Sequence, residues 1–253
     1  MARELLVTGA TGRLGHRVVC EATEAGHKVR ALSRSPRVGY TGVHWAQGDL
    51  LGGTGIDEAL DGIDTVIHCA TQGTRNKDVV SATNLISAAR RAGTTNIIYV
   101  SIVGIDRIPM PYYKTKLRVE EALAASGLGH TIVRATQFHE LIETMFSAQR
   151  FSPALIALKD VRFQPIDTRD VAAHLVSLVD NGPAGRVDDI GGPDVLGHDE
   201  LGRIYLTSRN SRRRVLSLPL PGGIVAGFKS GANLVPANPI GTIGFAQYLA
   251  RTT

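Results

Sequence analysis

The sequence predicts an α/β protein built on a doubly wound parallel sheet, with a small C-terminal lobe interleaved with it. Three observations lead to this fold class. Short apolar segments that suit buried strands alternate with amphipathic segments of helical period over residues 4–134. Glycines stand where several of these helices should end. The chain has 253 residues, which suits one such domain with an added lobe.

The first half of the chain reads as strand, helix, strand. Glu4–Thr8 is the first strand, and Arg13–Ala25 is a helix that Gly26 is placed to end. The next two elements are the strands Lys28–Ser33 and Val43–Ala46. From there helices and strands alternate: helix Asp57–Leu60, strand Asp64–His68, helix Asp78–Arg91, strand Asn96–Ser101, helix Tyr112–Ser126 and strand Thr131–Arg134. This alternation predicts crossover connections and therefore parallel strands. The unbroken apolar run Ile97–Val100 is typical of a strand that is buried on both faces.

The pattern becomes looser after residue 134. Thr168–Val179 is a clear helix, with Thr168 at its cap and Asp170 in its first turn. The remaining predicted elements are helix Phe138–Arg150, strand Val161–Pro165, helix Asp199–Thr207 and strand Arg213–Leu218. We predict one domain over residues 1–253, with a substrate lobe formed mainly by residues 136–165 and 191–253.

Composition narrows the class of protein. Apolar residues make up 43% and charged residues 20%, as in soluble globular proteins. The formal charge of +5 favours a mildly basic surface over a nucleic-acid partner. The arginine-rich run at residues 209–214 lacks a reading helix or an aromatic platform, so a solvated edge or a salt-bridged turn is favoured.

The sequence shows no signal peptide and no apolar run of the roughly 18 residues that span a bilayer. Cys20 and Cys69 are too few and too far apart for a zinc site or a disulfide scaffold, so no metal is expected. We expect a cytoplasmic protein with neither a nucleic-acid partner nor a membrane span.

The first predicted strand runs into the turn T-G-A-T-G-R-L-G at residues 8–15. One glycine permits the tight turn, another lets backbone N–H groups approach a pyrophosphate, and the last lets the helix lie close to the strand. The helix N-terminus then faces the phosphates. A strand before this turn and a helix after it predict a dinucleotide site of Rossmann type. The cofactor-binding residues predicted here are Thr8, Gly9, Thr11, Gly12, Arg13, Leu14 and Gly15.

The end of the second strand predicts which dinucleotide binds. An NAD site usually has Asp or Glu here to bind the ribose 2′-hydroxyl. This chain has Ser33 and Arg34, with Arg37 close by, and a hydroxyl and a guanidinium suit a 2′-phosphate. NADP(H) is therefore favoured over NAD(H). Asp49, followed by Leu50, could bind the adenine amino group, although a loop-capping role for Asp49 stays open.

Several motifs resemble the short-chain dehydrogenase/reductase superfamily in its extended and atypical branches, and within it the NmrA-like NAD(P)H-binding subgroup. They are the turn at residues 8–15, I-Y-V-S-I-V-G at 98–104, Y-Y-K-T-K at 112–116, R-A-T-Q-F at 134–138 and Q-P-I-D-T-R-D-V-A at 164–172. The resemblance covers nearly the whole chain and is specific through about Val179.

This resemblance implies a reaction centre. Tyr112 would be the general acid or base, and Lys116 would lower its pKa and hold the nicotinamide ribose. Ser101 would hydrogen-bond the substrate oxygen. Only eleven residues separate Ser101 from Tyr112, and Tyr113 and Lys114 are competing candidates.

Further predicted contacts follow from the same resemblance. Ala70 and Thr71 would line the cofactor cleft, and Gln137, Phe138 and His139 would face the substrate, although a structural role for His139 stays open. His68, within an apolar strand, is interpreted as a core residue.

Three functions are compatible with these motifs. The first is an NADP(H)-dependent oxidoreductase that passes a hydride to a small, mainly apolar acceptor such as a quinone, a ketone or a conjugated compound. The second is a non-enzymatic NADP(H) sensor that reports redox state to a protein partner. The third is a nucleotide-sugar epimerase or dehydratase, which the short C-terminal region and the Ser33-Arg34 pair disfavour. The first is preferred.

Overall fold

A seven-stranded sheet forms the centre of the fold. The structure is a computed structural model that describes residues 2–37, 42–73 and 76–252. The strands of this sheet are β1 (Glu4–Thr8), β2 (Lys28–Ser33), β3 (Val43–Gln47), β4 (Thr65–His68), β5 (Asn96–Ile102), β6 (His130–Ala135) and β9 (Gly185–Arg186). Their order is β3-β2-β1-β4-β5-β6-β9. The predicted doubly wound, parallel Rossmann-type sheet is confirmed.

Helices connect the strands. They are α1 (Arg13–Glu24), α2 (Ile56–Leu60), α3 (Lys77–Ala92), α4 (Pro111–Ala124), α5 (His139–Ser147), α6 (Thr168–Ser177), α7 (His198–Ser208), α8 (Gly223–Lys229) and α9 (Phe245–Thr252). Gly26 has a φ of 84° just beyond α1, and Gly93 has a φ of 72° at the end of α3. Both adopt the left-handed conformation that ends helices and that glycine tolerates best.

The strand register sets the position of the site. β1 pairs in parallel with β2 on one side and with β4 on the other, and Thr8 lies opposite His68. Leu5, Leu6 and Val7 are fully buried, as expected for a central strand with both faces covered. The carboxyl ends of β1, β2 and β4 therefore meet at one edge of the sheet, where Rossmann-type proteins bind ligands.

The chain is divided into two compact units. The first is formed by the described parts of Met1–Ser101, Pro111–Val133 and Val171–Val187. The second is formed by the described parts of Ile102–Met110, Arg134–Asp170 and Asp188–Thr253. Each unit is therefore assembled from separate stretches of sequence.

The second unit has its own core. The parallel pair β7 (Ala154–Leu158) and β11 (Arg214–Leu218) and the antiparallel pair β8 (Arg162–Phe163) and β10 (Leu196–Gly197) contribute to it. Its buried members are largely aromatic and aliphatic: Ile142, Phe146, Leu155, Val161, Phe163, Leu201, Tyr205, Leu206, Phe245, Tyr248 and Leu249.

The strand predicted at Val161–Pro165 is shorter than expected and covers only Arg162–Phe163. Beyond it the backbone of Ile166 pairs with that of Phe138, and the side chain of Gln164 adds hydrogen bonds to two further segments. Its amide donates to the carbonyl oxygen of Gly192 at 2.8 Å, and its oxygen accepts from Val235 N–H at 2.7 Å. Pro165 has no N–H to continue a ladder.

Within the described ranges, the helices are too short or too polar to reach across a bilayer. The predicted cytoplasmic location stays a prediction.

Candidate cofactor and active site

The turn after β1 is packed so closely that glycine is required at two positions. Gly9 has a φ of 67°, and a Cβ atom there would lie 2.7 Å from the backbone of Ala70. A Cβ atom on Gly15 would lie 2.1 Å from the carbonyl oxygen of Gly9. That same oxygen accepts a hydrogen bond from Gly12 N–H at 2.8 Å. The glycine spacing read from the sequence thus corresponds to a turn that brings strand, turn and helix into backbone contact.

A cleft of about 190 Å³ opens beside this turn. Its lining comes from the turn, the end of β2, the segment after β3 and the segment after β4: Gly9, Thr11, Gly12, Leu32, Ser33, Arg34, Gly48, Asp49, Leu50, Cys69, Ala70, Thr71 and Gln72. Most of the predicted cofactor residues therefore lie around one cavity. Those that do not line it are Thr8, Arg13, Leu14, Gly15 and Lys116.

The β2 end of the cleft carries the residues that would select the dinucleotide. Ser33 is buried, and its hydroxyl accepts from Ser35 N–H at 3.3 Å. Arg34 is exposed, and Gln47 donates to its backbone carbonyl oxygen at 3.3 Å. Asp49 is the carboxylate among the lining residues, and it accepts from Leu51 N–H at 3.1 Å. Asp49 thus caps its loop and also lines the cleft, and its contact with adenine stays a prediction.

His68 links the end of β4 to the end of β1 by a side-chain hydrogen bond. Its Nδ1 lies 2.7 Å from the hydroxyl oxygen of Thr8, and its ring stacks on Tyr99 with the centroids 5.5 Å apart. Burial, and secondly the charge of Lys116, lower the pKa of His68 to about 3. The residue is a buried, hydrogen-bonded core histidine, as the sequence indicated.

The Tyr-Lys pair lies on α4. Lys116 is buried, donates to the Val100 carbonyl oxygen at 2.9 Å and lies 4.2 Å from the centroid of the Tyr99 ring. Burial lowers the pKa of Lys116 to about 8, against the opposing effect of Asp78. The lysine is therefore held against β5 by a backbone oxygen and an aromatic face.

Tyr112 and Tyr113 have different environments. Tyr113 is buried, whereas Tyr112 is half-buried and its hydroxyl lies 3.2 Å from the Thr71 hydroxyl at the cleft. Burial raises the pKa of Tyr112, and the Asp78 carboxylate raises it further, while the hydrogen bond with Thr71 opposes them. The resemblance implied a tyrosine whose pKa is lowered by lysine, and this arrangement has the opposite sign.

Ser101 ends the buried part of β5. It is 3% exposed, and its hydroxyl has no hydrogen-bond partner among the described residues. A buried hydroxyl without a partner costs free energy, which a bound ligand oxygen would recover.

The residues predicted to face the substrate belong to the second unit. His139 is fully buried, its Nε2 lies 2.8 Å from the Ile243 carbonyl oxygen, and its ring stacks on Tyr248. Gln137 is buried and its oxygen accepts from Asn233 Nδ2 at 3.3 Å, while Phe138 is half-buried before α5. These contacts give His139 and Gln137 structural partners, and their contact with substrate stays a prediction.

Sequence reasoning missed several cleft residues. Leu32, Gly48, Cys69 and Gln72 line the cavity because they flank predicted residues at the ends of strands. Asp78 was treated only as the start of a helix, although it is a buried carboxylate that binds Thr71. An acidic residue in the first turn of a helix beside the cleft was the available signal.

The arginine-rich run is largely held by the protein itself. Arg209 forms an ion pair with Glu143 at 2.6 Å, and Arg213 donates to the Gln149 carbonyl oxygen at 2.8 Å. In the part of the chain that the structure describes, no group of three or more His, Cys, Asp or Glu residues could hold a metal ion.

Together, the strand order, the glycine turn and the cleft define a dinucleotide-binding protein of Rossmann type. The sequence pattern of a family described as NAD(P)H-binding matches residues 9–182. The chain belongs to this NAD(P)H-binding family.

Named relatives agree with this assignment. The chain is 31% identical over 199 residues to a (4-alkanoyl-5-oxo-2,5-dihydrofuran-3-yl)methyl phosphate reductase of Streptomyces griseus, a match that covers 76% of this chain and 69% of the relative. It is 30% identical over 203 residues to the chloroplastic protein High Chlorophyll Fluorescence Phenotype 244 of Arabidopsis thaliana, covering 75% of this chain and 51% of that protein. The chain thus spans about half the length of the second relative.

A solved structure shares the fold. The NADPH-dependent quinone oxidoreductase QOR2 of Escherichia coli, complexed with NADPH, superposes with a TM-score of 0.83 at 20% identity, covering 98% of this chain and 99% of that one. The predicted class, an NAD(P)H-dependent oxidoreductase, is confirmed at the level of the family.

Proposed function

We propose that this protein is an NADP(H)-dependent oxidoreductase that reduces a small, mainly apolar acceptor such as a quinone, a ketone or a conjugated compound. The observation that carries the cofactor choice is the end of β2, where Ser33 and Arg34 line the cleft in place of an acidic residue. The Arg34 guanidinium forms no hydrogen bond or ion pair with the described residues, so it is available to a 2′-phosphate.

The first unit fits a dinucleotide in two respects. The backbone contacts at Gly9 and Gly15 leave no space for a Cβ atom, so the turn presents bare backbone to a pyrophosphate. Ser101 carries a buried hydroxyl whose hydrogen-bonding capacity is unused by the described residues. The unpartnered hydroxyl is a free-energy cost that a bound ligand oxygen would offset.

When bound, the nicotinamide supplies the hydride. Tyr112 is the proton donor in this proposal, because its hydroxyl lies at the cleft, 3.2 Å from that of Thr71, and a phenol is neutral near pH 7. Ser101 donates a hydrogen bond to the acceptor oxygen. Lys116 stabilises α4 against β5 through the Val100 carbonyl oxygen, and its charge lies over the Tyr99 ring.

The acceptor class is supported by relatives rather than by a pocket. The names of the Escherichia coli quinone oxidoreductase and the Streptomyces griseus reductase describe reductions of conjugated, oxygen-bearing compounds. We propose an acceptor of this general chemistry for the present chain.

The cofactor assignment is tested by calorimetric titration with NADPH and NADH. Wild type should prefer NADPH, and Arg34→Ala should weaken NADPH binding about 10- to 100-fold, the range expected for a hydrogen bond to a charged group. Affinity for NADH should not change. Arg17→Ala, which removes an exposed arginine on α1 that does not line the cleft, is the matched control. Equal affinity for the two dinucleotides in wild type would contradict the assignment.

The activity is tested by following NADPH oxidation with a panel of quinones, aryl ketones and conjugated enones. Tyr112→Phe should lower kcat with the best acceptor by about 10²-fold or more, as expected for loss of a general acid. Tyr113→Phe should retain most of the activity. A panel without any turnover, despite tight NADPH binding, would refute the oxidoreductase.

A further inference from the structure

A buried carboxylate beside the cleft has no role in the mechanism above. Asp78 lies in the first turn of α3 and is 6% exposed. Its Oδ2 accepts from the Thr71 hydroxyl at 2.8 Å, and its Oδ1 accepts from the backbone N–H of Gln72. Two donors from the segment that follows β4 therefore converge on one carboxylate, which the helix N-terminus also stabilises.

The hydrogen-bond directions in this cluster follow from counting protons. An ionised carboxylate only accepts, so the single hydroxyl proton of Thr71 is given to Asp78. The Thr71 oxygen can then only accept from Tyr112, whose hydroxyl lies 3.2 Å away. The phenol proton is therefore directed at Thr71 while the tyrosine is neutral, and the phenol is held at the edge of the cleft.

We propose that Asp78, acting through the hydroxyl of Thr71, is a positioning residue that holds the Tyr112 hydroxyl at the cleft as the proton donor for reduction. This inference rests on the proposed function, in which Tyr112 gives its proton to the acceptor. When that proton leaves, the Thr71 hydroxyl rotates from Asp78 to the phenolate oxygen and stabilises it. Solvent then returns one proton to the phenolate, so Thr71 and Asp78 undergo no net change.

The two members of the pair affect Tyr112 in opposite directions. The negative charge of Asp78 raises the pKa of Tyr112, whereas a hydrogen bond from Thr71 lowers it. The other titratable groups of the cluster are Lys116 and Glu120 on α4 and Tyr99 on β5. The amine of Lys116 lies against the Val100 carbonyl oxygen and the Tyr99 ring. The charge that acts on Tyr112 is that of Asp78.

The pair favours one direction of reaction at neutral pH. Reduction requires a proton on the phenol, whereas oxidation of an alcohol requires a phenolate that removes one. Because Asp78 opposes the phenolate, the rate of the reverse oxidation should rise only at alkaline pH.

The opposite signs supply a test that needs no substrate. Protein labelled with ¹³C at tyrosine Cζ is titrated by NMR, and Tyr112→Phe assigns the resonance of Tyr112. Asp78→Asn should lower the midpoint of Tyr112, and Thr71→Val should raise it, each by about one pH unit, a tenfold change in phenolate fraction. Thr71→Ser should restore the wild-type midpoint. Ser81→Ala, which removes a buried hydroxyl one turn further along α3, should leave it unchanged.

The outcomes separate this inference from the proposed function. An unchanged midpoint in folded Asp78→Asn and Thr71→Val, judged by circular dichroism, overturns the positioning role even if NADPH is consumed. If Asp78→Asn does not fold, the contrast between Thr71→Val and Thr71→Ser decides alone. Where an acceptor is found, Asp78→Asn should move the alkaline limb of the kcat profile to lower pH and change KM little.

Discussion

Substitution of Gly15 tests the effect of a steric clash with the Gly9 backbone, without the conformational strain that a positive φ would add. Gly15→Ala would place a methyl carbon 2.1 Å from the Gly9 carbonyl oxygen. Carbon–oxygen contacts closer than about 3.3 Å are unfavourable, so the turn must shift by about 1 Å. Gly15 does not have a positive φ, and its replacement therefore introduces clash without conformational strain.

The shift should be costly in two ways. The free energy of unfolding should fall by about 1–3 kcal/mol, as for other overpacked positions. NADPH affinity should fall at least about tenfold, because moving the Gly9 carbonyl also moves the Gly12 N–H that it accepts, at the phosphate-binding turn.

The matched control is Gly26→Ala. Gly26 has a φ of 84°, and its Cβ would meet nothing within 4 Å. This variant should lose about 1–2 kcal/mol to left-handed strain and keep its NADPH affinity. Urea unfolding and calorimetry measure both quantities. Wild-type affinity in Gly15→Ala, or an equal loss of affinity in Gly26→Ala, would refute this account of the turn.

Three further predictions concern single side chains. Ser33→Asp should weaken NADPH binding about 10- to 100-fold and leave NADH binding unchanged, because a carboxylate repels a 2′-phosphate. Calorimetry measures both affinities. Substitution of the exposed Ser35, Ser35→Asp, should have a smaller effect. The pKa of His68 is about 3 in the folded protein, against 6.5 for the ordinary group. Between these pH values the unfolded state binds more protons than the folded state. The free energy of unfolding should therefore fall as the pH decreases from 6.5, by up to about 1.4 kcal/mol per pH unit. His68→Gln should flatten this dependence in urea unfolding, whereas the exposed His44→Gln should not. Desolvation raises the pKa of Cys69 to about 12, although the residue is half-buried and lines the cleft. At about pH 8 its alkylation by iodoacetamide, followed by mass spectrometry, should therefore be far slower in the folded protein than in guanidinium; equal rates would contradict the raised pKa.

The first half of the fold could be predicted from sequence because local signals agree there. β1 and β2 have the predicted bounds, and α1 ends within one residue of the prediction, before Gly26. Each of these boundaries depends on a neighbouring turn or on a glycine in a left-handed conformation. Such boundaries are local, so no tertiary information is needed to find them.

The second half was harder because tertiary packing decides it. β7 (Ala154–Leu158) was missed, since its pairing partner β11 lies more than fifty residues further along the chain. α8 (G-I-V-A-G-F-K) was missed because its two glycines weaken the helical signal. α9 (F-A-Q-Y-L-A-R-T) was missed although its own pattern is amphipathic and free of Pro, Gly and Asn. β7, by contrast, forms where the core of the second unit accepts it.

The candidate site also combines residues that local motifs predict with residues that only tertiary structure brings together. The residues of the phosphate turn and the β2 end came from a contiguous motif, whereas Asp78 acts through Thr71 from a different element. Its partner became visible only when the segment after β4 and the start of α3 were placed in space. The sign of the pKa change at Tyr112 likewise depends on that contact.

Each compact unit is formed by three separate stretches of one chain. The chain passes from one unit to the other at residues 101/102, 110/111, 133/134, 170/171 and 187/188. No single cut releases either unit whole, so neither can be expressed as a continuous fragment or exchanged between relatives by one recombination event. Domains joined by a linker can be shuffled as blocks, but this arrangement cannot. In such a chain, each unit changes by substitution in place, because neither can be replaced as a block without the other.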